Sequence, residues 1–180
     1  MPTKQIEIIR GVGQATNQPV LDVLGPTVEI LTPLSDGSDG LCVMRGVVPP
    51  GVTVPLHSHD DPEDFYIVAG SQQILLQGEN GHEWQDAHAG DYIRVPGGVP
   101  HAHRNVTDEA AIDLVFTTAR IGHFFQDVGR PVTGPPEPPD PDQLANFVAA
   151  VARHGYTLAT PEENAAVGIQ LPNSSGRPGS

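Results

Sequence analysis

GVTVPLHSHDDPEDFYIVAG, residues 51–70, decides how the chain is read. His57 and His59 are two apart, so on a strand their imidazoles project from the same face. Asp60, Asp61 and Pro62 read as a turn, and Glu63 starts a second, apolar strand that closes on Gly70. Two neutral imidazoles and a carboxylate converging on one point make a site for a divalent metal. Taken alone, a His-x-His pair is more often a surface or core feature, and an acidic run more often a solvated turn. A second segment shifts the balance. GDYIRVPGGVPHAHRN, residues 90–105, turns at Pro-Gly and then opens a strand at His101, which supplies a fourth ligand from a distant part of the chain.

The two segments together resemble the paired motifs of the cupins. Gly51, His57, His59, Glu63 and Gly70 fill the first motif, and Gly90, Pro96, Gly98, His101 and Asn105 fill the second. The likeness is tight over 51–105 and looser over about 41–118. It implies an all-β fold, a double-stranded β-helix or jelly-roll barrel, with one divalent transition metal inside held by His57, His59, Glu63 and His101. Gly70 and Gly90 are expected to end strands at tight turns or positive φ. Pro96 and Gly98 are expected to bend the chain so that His101 re-enters the barrel.

The sequence around these motifs fits such a barrel. Candidate strands fall at 41–48, 52–59, 64–69, 72–77, 82–86, 91–95, 101–105 and 110–118, with Gly, Pro, Asp or Asn between nearly all of them. In AIDLVFTT, Ile112, Leu114 and Phe116 share one face, and Asp113, Val115 and Thr117 the other. The parity of Glu63 carries Phe65 and Ile67 inward, and that of His101 carries His103 inward. His103 is then either a base beside the metal or a histidine satisfied by one hydrogen bond. Tyr66 and Tyr92, on the opposite parity, read as packing residues. His82, His88, His123 and His154 read as loop or surface residues.

Three regions follow from this pattern. Residues 1–40 form an arm with strands at QIEII and TVEILTP, and residues 41–130 form the jelly roll. Residues 131–180 hold a proline-rich connector, a helix over 141–154 and a flexible tail. In the helix, Leu144, Phe147, Val148 and Val151 fall at i, i+3, i+4 and i+7, which predicts a buried stripe. Asp140 suits the N-cap, Pro141 the first helical position and Gly155 the C-terminal stop. Phe124 and Phe125 are expected to anchor this tail on the barrel. The helix is expected to dock either on the outer face of a sheet or at the barrel mouth as a lid.

Composition narrows the function classes. The chain has 180 residues, 38% of them apolar, with 20 Gly and 19 Pro, which suits one domain of short strands and turns. A formal net charge of −13 argues against a nucleic-acid partner and against docking on anionic lipid. Cys42 is the single cysteine, so no internal disulfide is possible, and it reads as a small buried hydrophobe. The N-terminal residues lack an apolar signal core and no stretch approaches a membrane span, so a cytoplasmic protein is expected.

Three histidines and one carboxylate leave one or two positions open on an octahedral metal, the mark of a catalytic rather than a closed structural site. Fe, Mn, Ni, Co and Zn all accept such ligands. The resemblance implies a metal-dependent dioxygenase of the quercetinase-like kind, acting on a small aromatic or enolisable substrate, and the HFFQDVGRPV stretch is similar to tails of that group. Glu63 would alternate between ligand and proton acceptor, with His103 as a second catalytic candidate. A metal-dependent isomerase, cyclase or lyase is the alternative, and a non-catalytic small-molecule-binding cupin the alternative from another class. The resemblance also implies a homodimer, paired at an edge strand with QIEII added to the partner's sheet.

Overall fold

A computed structural model describes residues 18–171 apart from 36, 38, 39, 79, 80 and 136. The QIEII segment and the last nine residues therefore lie outside the described residues. Among the described residues twelve strands form two antiparallel sheets. The larger sheet holds β1 (Val20–Asp22), β2 (Thr27–Ile30), β3 (Leu41–Val48), β5 (Asp64–Ala69), β8 (Tyr92–Ile93), β10 (Ala111–Thr118) and β11 (Arg130–Pro131), in the order β11-β1-β2-β3-β10-β5-β8. The smaller holds β4 (Thr53–Ser58), β6 (Ser71–Gly78), β7 (Gly81–His88), β9 (His101–Arg104) and β12 (Thr157–Leu158), in the order β12-β4-β9-β6-β7. This is a jelly roll, and its strands follow the Gly and Pro punctuation closely.

The inner faces carry the site. On β10 the buried residues are Ala111, Asp113, Val115 and Thr117, and on β3 they are Cys42, Met44, Gly46 and Val48. Ile112, Leu114 and Phe116 are only half-buried on the outer face. Burial pushes the Cys42 thiol up to about 11, as suits a core residue. Tyr66 and Tyr92, expected to pack, are instead exposed on the larger sheet, and the Tyr92 hydroxyl donates to Asp64. Gly70 has φ +72°, and a Cβ there would run into the backbone of Ala110 and Ala111.

Beyond β10 the chain forms α1 (Ala119–Val128), a helix that the sequence pattern did not indicate. Gly122 lets α1 approach the core, because a Cβ there would meet Leu34 and Cys42. A second helix, α2 (Pro141–His154), has its N-cap at Asp140, which accepts from Gln143 N, and its left-handed C-cap at Gly155. The expected buried stripe is corrected. Leu144 and Val148 are exposed, while Ala150 and Val151 are buried and Phe147 partly so. The cause is that α2 docks on α1, against Phe124 and Val128, and turns a different face inward.

The last described segment covers the smaller sheet. In α3 (Pro161–Ala166), Asn164 is buried and accepts from Leu56 N, tying the segment to β4. Ile169, Val167 and Ala159 pack over Leu56, Leu75 and Ala102 on the sheet's outer face. Among the described residues no helix is long and apolar enough to cross a membrane.

Candidate metal centre

The local sequence places each ligand. Pro55, which has no backbone N–H to donate, sits in β4 where the pairing with β9 shifts register between Val54 and His57. Beyond the shift, His57 stands directly across from His101. The turn after His59 is pinned from several sides. Gly98 N donates to His59 O at 2.7 Å and Glu63 N to Val95 O at 3.0 Å. Thr117 Oγ1 donates to Pro62 O at 2.7 Å, and Thr118 Oγ1 to Asp61 at 2.6 Å. Gly97 is required here, because its position leaves no room for a Cβ beside the carbonyl of Asp60.

The structure brings together the four side chains expected from the sequence, His57, His59, Glu63 and His101, with one possible ligand atom from each lying within 4.8 Å of the others. Imidazole ring centres are 4.2 Å apart for His57 and His101, and 5.0 Å for His59 and His101. Glu63 Oε2 is 3.3 Å from His59 Nε2 and 3.4 Å from His101 Nε2.

Whether these residues fit a metal can be judged from their outer nitrogens. Each imidazole has Nδ1 beside a main-chain carbonyl, His57 with Pro55 O at 2.7 Å, His59 with Asp61 O at 2.9 Å and His101 with Val99 O at 2.8 Å. A carbonyl only accepts, so Nδ1 carries the proton and Nε2 keeps its lone pair for the centre. The Nε2 of His101 is buried without a hydrogen-bond partner, which a ligand bond would satisfy. The donor set therefore fits a borderline divalent metal.

Without a metal, the charges of the cluster are coupled through Glu63. Burial opposes the charge on Glu63, but the imidazoles of His101 and His59 prevail and hold its carboxyl well below the usual range. Burial, and then the neighbouring His101, push His57 down to about 3. Burial also lowers His59, but Glu63 outweighs it and the net shift is upward.

Further groups surround this cluster. His103 lies inward on β9, its ring 5.5 Å from Phe65 and its Nδ1 2.9 Å from Gln72 Oε1. Burial pushes it down to about 4. Phe65 and Ile67 are buried as expected. Tyr156, unflagged by the sequence, has its ring centre 5.3 Å from that of His59, tilted by 53°, with its hydroxyl buried and unpartnered. Beside it Arg120 pairs with Asp61 at 2.7 Å. Between the outer face of the smaller sheet and the C-terminal segment, a pocket of about 300 Å³ is bounded by Leu56, His57, Ser58, Thr157, Ala159 and Val167 among others. Asn105 is a structural residue, donating to the carbonyls of Val48 and Glu109 and accepting from Thr107.

Comparison with known proteins finds one domain match and several likenesses. A model of the Cupin domain matches residues 44–118. Dimethylsulfoniopropionate lyase DddQ from Ruegeria pomeroyi is 34% identical over 67 residues, which is 37% of this chain and 32% of the relative. The chain thus spans about a third of the length of the curated relative it matches. Among solved structures, the polyketide cyclase RemF from Streptomyces resistomycificus aligns with TM-score 0.49 and 19% identity, over 82% of this chain and 99% of that one. A Cupin 2 conserved barrel domain protein from Salinispora arenicola aligns with TM-score 0.48 and 20% identity, over 81% and 98%.

Proposed function

We propose that the protein, whose residues 44–118 match a model of the Cupin domain, is a metal-dependent enzyme, a dioxygenase acting on a small aromatic or enolisable substrate. The observation that carries the enzymatic reading is the set of three Nδ1 contacts to main-chain carbonyls, which aims three lone pairs and one carboxylate at a single point. A divalent metal held by His57, His59, Glu63 and His101 would supply Lewis acidity to a substrate oxygen at an open position.

The chain's own groups do the rest. Glu63 is the one anionic member of the set, so it would balance part of the metal's charge and, freed from its imidazole neighbours, would be the group to accept a substrate proton. His103 follows His101 by two residues on β9 and packs against Phe65, which makes it the second candidate base. Phe65 and Ile67 give that interior an apolar wall, which limits water and strengthens each polar contact. Tyr156 packs beside His59 and adds an aromatic neighbour to the cluster.

A second reading is a lyase or isomerase that uses the same proton abstraction without dioxygen. The partial identity with DddQ, itself named a lyase, favours it. An oxygen electrode separates the two. Metal-loaded protein given a panel of flavonols and other enolisable compounds should consume oxygen as substrate disappears. Turnover that proceeds equally under argon replaces the dioxygenase with the lyase or isomerase.

A further inference from the structure

Behind the metal cluster the barrel holds a second polar chain that the ligand set does not use. Gln72 on β6 is 1% exposed and Asp113 on β10 is 1% exposed. Gln72 Nε2 donates to Asp113 Oδ2 at 2.9 Å, and Gln72 Oε1 lies 2.9 Å from His103 Nδ1. The other oxygen, Asp113 Oδ1, is buried with no partner. Across the sheet, Asp113 faces Gly46 on β3 and Ile67 on β5, neither of which titrates, and Glu63 is the charged group acting on it. Burying a carboxyl with one neutral donor is costly, so its place here calls for a role.

The polarity of the chain supplies one. An ionised carboxylate has acceptors only. Gln72 must then turn its amide nitrogen to Asp113 and its carbonyl oxygen to His103. That carbonyl accepts only, so His103 must carry its proton on Nδ1. Among the described residues the Nε2 of His103 has no hydrogen-bond partner, and it is left with a lone pair.

We propose that Asp113 and Gln72 are positioning residues that hold His103 in its Nδ1–H form, so that Nε2 meets the barrel contents as a hydrogen-bond acceptor. The group it meets on a substrate must then be a donor, such as a hydroxyl or enol O–H next to the oxygen that reaches the metal. That consequence rests on the function proposed above, whereas the tautomer does not. Protonation of Asp113, which burial places at about 7, gives the carboxyl a donor of its own and releases the constraint.

The test is ¹⁵N NMR of the histidine side chains in the full-length protein at alkaline pH, with and without zinc. Wild-type protein is expected to show a pyrrole-type signal at His103 Nδ1 and a pyridine-type signal at Nε2 in both states. Gln72→Leu removes the acceptor, and Asp113→Asn replaces an obligate acceptor with an amide that can face either way. Each should reduce the Nδ1–H signal in favour of the Nε2–H form, while the backbone amide spectrum stays folded. Asp113→Asn is nearly isosteric and serves where Gln72→Leu does not fold. A wild-type protein in the Nε2–H form overturns the proposal. So does an Nδ1–H signal that survives either substitution unchanged. Neither result depends on zinc binding or turnover, so they leave the proposed function to its own test.

Discussion

Replacing Asp113 by asparagine should stabilise the protein at alkaline pH and do little in acid. The carboxyl is 1% exposed, and burial pushes it from 3.8 up to about 7 despite the opposing hydrogen bond from Gln72. A folded-state value above the unfolded one means that the folded protein keeps its proton longer. Between the two values only the unfolded chain has released it, so stability falls as pH rises from about 4 to about 7 and is level above that. A gap of roughly three units at 1.36 kcal/mol each puts the cost near 4 kcal/mol. Asparagine has no charge to bury and can still accept from Gln72. The variant should therefore match wild type within about 1 kcal/mol near pH 4. Its advantage should grow to as much as 4 kcal/mol above neutrality, or about 8–16 °C in Tm for a chain of this size. Urea unfolding of both proteins across this range, with chelator present, measures the difference directly. An offset constant with pH would refute the argument, and so would a variant that is less stable in alkali. Either would mean that the buried carboxylate has a partner that neutralises it.

The other predictions concern the ligands, the C-terminal segment and the outer sheet. Glu63→Gln should retain part of the metal and lose most turnover, read by elemental analysis beside the oxygen electrode; unchanged turnover removes Glu63 from both roles. Asn164→Ala leaves the N–H of Leu56 without its acceptor, and urea unfolding should show a loss of about 1–3 kcal/mol. On α2, Val151→Ala should cost roughly 1–3 kcal/mol and Val148→Ala under about 0.5, because only Val151 is buried; equal costs would contradict the observed orientation of the helix. Leu41, Tyr66 and Tyr92 are exposed apolar or aromatic groups on the larger sheet, and light scattering at micromolar concentration should report a homodimer; a monomer mass would reject it.

Much of the fold was legible because its punctuation is local. Each turn between strands is marked by Gly, Pro, Asp or Asn, and the ligands sit at spacings that a strand and one turn convert directly into proximity. What could not be read depends on which surface faces which. The more apolar half of β10, Ile112, Leu114 and Phe116, lies outward, and the inner half carries Asp113 and Thr117, because the barrel interior is a polar site as well as a core. Gln72 and Asp113 are 41 positions apart, and nothing local pairs them. α1 escaped notice because it follows a strand directly, contains Gly122 and has no side-chain cap at Thr118. Without α1 the partner of α2 was unknown, and hydrophobicity alone favoured Leu144 and Val148 over Ala150. Tyr156 lay beyond the two motifs, and only tertiary packing brings it to His59.

The central claim is that His57, His59, Glu63 and His101 hold one divalent metal. Elemental analysis of the purified protein, wild type beside His101→Ala, tests it most directly. About one equivalent of a transition metal per chain is expected in the wild type and almost none in the variant. A lower melting temperature in the variant should accompany the loss, since an ion that binds only the folded state stabilises it. Full occupancy in the His101→Ala protein, or a wild type that takes up no metal from any of Fe, Mn, Ni, Co or Zn, would contradict the account.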